Sequence, residues 1–201
     1  MMNNTPTKTK SNSALEAYQA MTDPDTRWSY AFITEPRPMN NGELVYSMTL
    51  LIPKAKAQVI ARLRAAIRAA YERSLDKLKG KDAVPPALET LPNLIRDGDL
   101  EYPGDPSYAG CWFIRAKSTR RPDIRDRANN PIVDPSEVYS GCYGPVLLEF
   151  YGYNHITRGI GCSLAAVWKF ADGERLGRSV DVNGAFAMIE GAADETNDFL
   201  R

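Results

Sequence analysis

Aromatic and basic side chains alternate in one short stretch of the chain, residues 111–118. Successive residues of a β-strand point to opposite faces, so Phe113, Arg115 and Lys117 would share one face of a strand there. An aromatic ring offers a flat surface on which a nucleic-acid base can stack, and a guanidinium or ammonium group can neutralise a phosphate. The pattern therefore predicts a surface that binds a polyanion whose bases are exposed.

The segment that follows this stretch is dense in arginine. Residues 118–127 include Arg120, Arg121 and Arg125. We predict that these three side chains contact phosphates together with Lys117, because a cation beside an aromatic face can track a phosphate backbone. A solvated arginine loop without a ligand is the alternative.

A second alternating stretch, residues 143–154, divides in the same way. Val146, Leu148 and Phe150 fall on one face, and Tyr151 and Tyr153 fall on the other. The apolar face can supply a core, which leaves the two tyrosines free to stack on bases.

Five strands and one long helix are expected to position these residues. Alternation predicts strands near residues 28–32, 44–52, 110–118, 143–154 and 159–170. Pro53 is predicted to open a helix that ends before Gly80, with an apolar stripe at a spacing of three and four residues: Ile60, Leu63, Ile67, Tyr71, Leu75 and Leu78. The fold class is therefore mainly β with one long helix (α+β), and a five-stranded barrel of the OB type suits it best.

The charges are unevenly distributed although the formal net charge is zero. Residues 27–178 contain 22 Lys and Arg against 17 Asp and Glu, whereas residues 179–201 contain five acidic residues and Arg201. We predict a flexible N-terminal arm over 1–26, an OB domain over 27–178 and a flexible acidic tail over 179–201. A mildly basic body with an acidic tail is consistent with nucleic-acid binding. No stretch approaches the apolar length of a membrane span.

The residues that could support catalysis are few. The chain has one histidine and no phosphate-binding Gly-Lys-Ser loop. Asp97 and Asp99 could hold a divalent cation beside Lys117, which makes a metal-dependent nuclease one alternative; a protein–protein adaptor is another. A turn is the more common role of an Asp-Gly pair flanked by acids, so we expect no enzyme, no cofactor and no metal.

The three cysteines are widely spaced. Cys111, Cys142 and Cys162 could bind zinc together with His155, but no two of them show the short spacing of usual zinc ligands. Each lies in an apolar stretch, where a free cysteine behaves as a small hydrophobic residue. The pattern favours core cysteines over a zinc site.

Several runs of residues make the sequence similar to the tailed-phage single-stranded DNA-binding protein family. Two runs are specific: Lys117-Ser118 followed by Arg120-Arg121-Pro122, and Tyr139-Ser140-Gly141-Cys142-Tyr143. The other similar segments are 46–54, 96–99, 102–104, 134–138, 151–154, 158–160 and 172–177. Together they span about residues 26–178. The chain departs from the family in a longer N-terminal arm and at Val138, where an aromatic residue is expected.

The resemblance implies an OB-fold that binds single-stranded DNA without sequence preference. It also implies a role in bacteriophage DNA replication or recombination, in the cytoplasm of the infected host. Tyr139 and Tyr143 become further candidates for DNA binding. In the tail, Asp194, Glu195, Asp198 and Phe199 resemble the acidic tips through which such proteins recruit phage or host replication and recombination proteins, and a purely solubilising tail is the alternative.

Overall fold

Two four-stranded β-sheets share one hydrophobic core in the computed structural model, which describes residues 15–82 and 84–177. One sheet has the strand order β2-β3-β5-β4, and the other has the order β1-β7-β8-β6. The strands are β1 (Gln19–Met21), β2 (Arg27–Pro38), β3 (Leu44–Pro53), β4 (Arg96–Asp97), β5 (Cys111–Ser118), β6 (Asp123–Asp126), β7 (Val146–Asn154) and β8 (Arg158–Lys169). The helices are α1 (Ala57–Arg73), α2 (Leu75–Lys79) and α3 (Gly98–Glu101), with 3₁₀ turns at Leu88–Thr90 and Pro135–Glu137.

The prediction of a mainly β protein is confirmed, but a closed five-stranded barrel is not what forms. The five strands expected from alternation correspond to β2, β3, β5, β7 and β8. The other three, β1, β4 and β6, have four residues or fewer, which is too short to show an alternating pattern. In β5, β4 pairs with residues 112–113 alone, and in β8, β6 pairs with residues 166–169 alone. The facing edges of β5 and β8 therefore form no ladder with each other within the described residues.

The predicted single long helix is interrupted at Ser74, between α1 and α2. The Ser74 hydroxyl accepts a hydrogen bond of 3.1 Å from the backbone N–H of Gly152 on β7. A side chain at position 152 would collide with Ser74, so the two backbones can approach this closely only because residue 152 is glycine. This contact favours a break where the apolar stripe alone predicts a continuous helix, and it leaves Leu75 exposed.

Part of the predicted N-terminal arm, 1–26, takes part in the fold. Gln19–Met21 pairs antiparallel with residues 147–149 of β7, and Ala20 is buried in the core. The hydroxyl of Thr22 also accepts a hydrogen bond from the N–H of Val146, at 3.0 Å. The predicted tail, 179–201, lies outside the described residues. No helix of the described part is long and apolar enough to cross a membrane.

Strand β7 separates core from surface as its alternation predicts. Val146, Leu148 and Phe150 are buried, whereas Tyr151 is 39% exposed. Ile114 and Ala116 of β5 likewise face the shared core, which places Arg115 and Lys117 on the opposite face.

Replacement of two neighbouring residues tests this division. Phe150→Ala removes a ring that is 2% exposed, so we expect the free energy of unfolding to fall by about 3–5 kcal/mol. Tyr151→Ala removes a ring from the outer face and should cost well under half of that. Urea denaturation of both variants measures the difference. Equal losses would show that both rings are core residues.

Candidate nucleic-acid interface

A groove with a volume of about 1320 Å³ opens where the edges of β5 and β8 face each other. Its walls come from β2, β3, β5, β7 and β8 and from the loop after β5. Six residues predicted from the sequence to bind nucleic acid lie in this groove: Arg115, Lys117, Arg120, Arg121, Tyr151 and Tyr153.

The basic side of the groove is formed by β5 and the loop that follows it. Arg115 lies opposite Thr49 of β3, and Lys117 lies opposite Ser47, so small polar side chains flank both cations. Within the described residues, no carboxylate lies within 4.0 Å of the Arg115, Lys117, Arg120 or Arg121 side chains. All seven cations that do form ion pairs there lie outside the groove: Lys54, Lys56, Arg62, Arg96, Arg125, Arg158 and Lys169. The groove therefore presents positive charge that the described chain does not neutralise by direct pairing.

The aromatic side of the groove depends on two glycines of β8. Gly161 is paired with Tyr151, and Gly159 is paired with Tyr153. A Cβ atom at position 161 would lie 2.5 Å from Cζ of Tyr151, and one at position 159 would lie 2.7 Å from the Tyr153 hydroxyl oxygen. Each ring thus lies over the backbone of the neighbouring strand, in space that any larger residue would fill.

Two carboxylates also lie in the groove, Glu43 and Glu149. Glu149 is next but one to Tyr151 on β7, and the amide Nε2 of Gln19 donates a hydrogen bond of 3.4 Å to it. Glu149 therefore places a negative charge beside Tyr151, on the tyrosine side of the groove.

Tyr30 also lines the groove and was missed by the sequence analysis. Simple alternation places it on one face with Trp28 and Phe32, but Trp28 is fully buried and Tyr30 is 59% exposed. Ser29 pairs with Thr49 of β3, and Phe32 pairs with Ser47, so β2 has one more residue than β3 between these two pairs. This extra residue is the mark of a β-bulge. The sequence of β2 carries no glycine or other signal that would have placed the bulge.

Phe113 corrects the prediction that this ring stacks on bases. It does lie on the face opposite the main core, but it is 0% exposed, because the segment after α3 covers this end of the sheet. Its ring packs edge-on against Tyr108, with the centroids 5.3 Å apart, and against Tyr102, at 5.5 Å. Phe113 therefore belongs to a second, smaller core.

Tyr139 and Tyr143 lie outside the groove and hold the C-terminal end of the described chain in place. The Tyr139 hydroxyl donates a hydrogen bond of 2.7 Å to Asp172, and the Arg175 guanidinium carbon lies 3.9 Å from the centroid of the same ring. The backbone N–H of Tyr143 donates to the carbonyl of Ala171 at 2.9 Å. These contacts give the two tyrosines a structural role, while their role in DNA binding stays a prediction; the neighbouring Val138 is buried in the core.

Arg125 is also separated from the groove. It lies on β6, where its Nε donates to Asp123 at 2.8 Å and its Nη1 donates to the carbonyl of Asn129 at 2.9 Å. Because these contacts hold Arg125 on β6 and pair its charge with Asp123, it is a poor candidate for a phosphate contact in the groove.

The acidic pair proposed for a nuclease is engaged by a lysine. Nζ of Lys54 lies 2.6 Å from Asp97 and 2.7 Å from Asp99. The hydrogen bond from Lys54, and then that from the N–H of Gly110, hold the pKa of Asp99 below its usual value. No three His, Cys, Asp or Glu side chains of residues 15–82 and 84–177 come together as metal ligands would. Cys142 and Cys162 are buried, and burial raises the pKa of the Cys162 thiol.

The fold and the groove together define a class of protein, in which two sheets surround one core and an open groove combines tyrosine rings with cations that have no carboxylate partner among the described residues. A family model described as Enterobacter phage Enc34, ssDNA-binding protein, matches residues 19–200. The chain belongs to this family.

Individual relatives agree with this assignment. Protein p50 of Acyrthosiphon pisum secondary endosymbiont phage 1 is 31% identical over 171 residues, which cover 83% of this chain and 88% of that protein. The single-stranded DNA-binding protein of bacteriophage Enc34, solved in complex with ssDNA, is similar with a TM-score of 0.67 and 26% identity over 81% of this chain and 91% of that one. Gp2.5, a single-stranded DNA-binding protein encoded by bacteriophage T7, shares the fold with a TM-score of 0.54 and 14% identity, covering 83% of this chain and 93% of that one.

The contacts of Asp172 predict how stability depends on pH. Hydrogen bonds from Lys169 and then from Tyr139 lower the pKa of Asp172 below its usual value of 3.8. As the pH falls, Asp172 is therefore protonated in the unfolded chain before it is protonated in the folded one. The stabilisation is complete at a pH above the unfolded pKa and is lost as the pH falls through the lower pKa of the folded state.

We expect Asp172→Asn to lower the melting temperature at pH 7, with a difference from the unaltered protein that shrinks on acidification below pH about 4. Thermal melts at low ionic strength measure it, because salt screens exposed ion pairs. A difference that is constant with pH would contradict a charge-dependent contact.

Proposed function

We propose that the groove between β5 and β8 binds single-stranded DNA without sequence preference. The observation that carries the proposal is the combination of cations without carboxylate partners and tyrosine rings in one open groove. Membership of a phage ssDNA-binding family supports the same conclusion. Rings accept any base, and cations that contact phosphates carry no sequence information, so neither contact selects a sequence.

The two sides of the groove bind different parts of the DNA. Arg115, Lys117, Arg120 and Arg121 neutralise phosphates along β5 and its loop, while Tyr151 and Tyr153 stack on bases at the other side. The carboxylate of Glu149 beside Tyr151 supports this orientation, since it disfavours a phosphate at the tyrosine side.

We further propose that the protein coats and protects single strands during phage DNA replication or recombination in the cytoplasm of an infected bacterium, without catalysing a reaction. The phage origin of its relatives supports this setting. Recruitment of replication or recombination proteins through Asp194, Glu195, Asp198 and Phe199 stays a prediction, because these residues lie outside the described part of the chain.

The salt dependence of binding tests the role of the cations. If three phosphates are neutralised, the logarithm of the affinity for a single strand should fall with the logarithm of the salt concentration at a slope of about −2. Alanine at Arg115, Lys117, Arg120 and Arg121 should bring that slope towards zero, whereas Arg125→Ala, which removes a paired arginine, should leave it unchanged. Fluorescence anisotropy with labelled single-stranded and duplex DNA gives the slopes and the preference between the two. An unchanged slope in the fourfold variant would contradict the assignment, and magnesium-dependent loss of the single strand would indicate the nuclease instead.

Gly161→Ala tests whether the tyrosine side depends on the ring position. The added Cβ atom would meet the end of a flexible side chain, so the Tyr151 ring is expected to move while the fold is kept. Binding of a single strand should weaken by roughly 1–3 kcal/mol, the value of one lost base–ring contact. Gly104→Ala is the matched control, because a Cβ atom there meets nothing within 4 Å.

A double variant completes this experiment. Once Tyr151→Ala has removed the ring, Gly161→Ala should have little further effect, so the two losses should not add. Fully additive losses would show that Gly161 acts independently of Tyr151.

A further inference from the structure

Tyr30 and Tyr151 are the two most exposed aromatic side chains of the described residues, and both line the groove. Tyr30 is the more exposed, at 59%. Within the described part of the chain, its hydroxyl forms no hydrogen bond and its ring has no aromatic or cationic partner. Two rings outside the groove each have a cationic partner. The guanidinium carbon of Arg37 lies 3.7 Å from the centroid of the Phe32 ring, and that of Arg73 lies 4.1 Å from the centroid of the Tyr18 ring. Among the described residues, the Tyr30 ring therefore has no hydrogen-bonding, aromatic or cationic contact that would explain its conformation.

The backbone of Tyr30 is strained. Its φ angle is 47°, in the left-handed region, where a bulky residue is a genuine outlier. Such a conformation costs free energy and persists only where the surrounding structure fixes it. Asn129 is the one other non-glycine residue of the described chain with a positive φ, and asparagine tolerates this region far better.

The segment Tyr139–Tyr143 fixes the chain on both sides of Tyr30. The backbone N–H of Trp28 donates to the carbonyl of Cys142 at 2.9 Å, and the N–H of Gly141 donates to the carbonyl of Trp28 at 2.8 Å. Beyond the bulge, the N–H of Ala31 donates to the hydroxyl of Ser140 at 3.0 Å. The bulge is thus held by hydrogen bonds on either side, and the side chain between them is directed into the groove.

We propose that Tyr30 is a further base-stacking residue, at the opposite end of the groove from Tyr151. This inference rests on the proposed binding of single-stranded DNA. In the order of the strands, Tyr30 on β2 comes first, the cations on β5 lie two strands away, and Tyr151 on β7 lies beyond β8. Adjacent strands are about 4.8 Å apart, so Tyr30 is roughly 10 Å from the row of cations in the plane of the sheet. Single-stranded DNA that crosses the β-strands would contact the ring of Tyr30, then the cations of β5, and then the ring of Tyr151.

Tyr30→Gly separates a role in binding from a role in stability. Glycine adopts a positive φ without a steric penalty, so the variant should be at least as stable as the unaltered protein in urea. Its affinity for single-stranded oligothymidine should nevertheless fall about tenfold, the size of one lost base–ring contact. Tyr30→Phe should bind like the unaltered protein, because stacking needs the ring and not the hydroxyl.

Phe32→Ala is the matched control, since it removes a ring from the same strand outside the groove. It should change the affinity less than twofold. Affinity of Tyr30→Gly equal to that of the unaltered protein would overturn the inference while leaving the proposed function intact. A loss as large in Phe32→Ala would overturn it as well, because the effect would not be specific to the groove. Failure of the unaltered protein to bind oligothymidine would instead overturn the proposed function itself.

A direct contact can be measured in parallel. Single strands that carry 5-iodouracil form photochemical crosslinks to aromatic rings in contact with the base. Mass spectrometry of the crosslinked peptides should identify Tyr30 and Tyr151. Crosslinks to Tyr151 without any to Tyr30 would overturn the inference.

Discussion

The packing of two sheets against one core, with the facing edges of β5 and β8 left apart, determines where this protein can bind. Both sheets contribute their inner faces to the same cluster of buried residues, which α1 completes with Val59, Ile60 and Leu63. Strand alternation then forces every second residue of β5 and β7 outwards. Because β4 and β6 pair with only one end of β5 and of β8, the remaining edges of these two strands stay open at the groove, which the outward residues line.

The parts of this arrangement that depend on local periodicity could be predicted from the sequence. The inward positions of Leu148 and Phe150 follow from period-two alternation alone, and so do the outward positions of Arg115 and Lys117. Contacts between segments distant in the chain could not be read in this way. Phe113 is on the outward face as expected, but Tyr102 and Tyr108, which belong to another segment, pack against it and bury it. The break of the helix at Ser74 has a similar origin, since it depends on the close approach of Gly152, 78 residues away.

The run Tyr139–Tyr143 shows that a recognisable motif can have a structural role that its residue types do not indicate. Its aromatic residues suggest stacking, yet Tyr139 is held by Asp172 and Arg175, and Tyr143 anchors the strand end at Ala171. The importance of the run is indirect: Ser140 and Cys142 form the hydrogen bonds that hold the β2 bulge. A residue away from the groove can therefore control what the groove presents, because it fixes the backbone from which a binding side chain extends.

The ion pairs of the described chain distinguish cations with a carboxylate partner from cations without one, which a count of residues cannot do. Arg125 and Arg120 look equivalent in the sequence, but Arg125 is bound to Asp123 on β6, whereas Arg120 lies in the groove without a carboxylate within 4.0 Å among the described residues. The charge of a paired arginine is already partly compensated by its carboxylate, so it attracts a phosphate less strongly than an arginine without such a partner. A cation without such a partner exchanges only hydration and mobile counterions, whose release favours binding. Attraction for a polyanion therefore depends on where positive charge is left uncompensated, which explains how a chain with no net charge can present a basic groove.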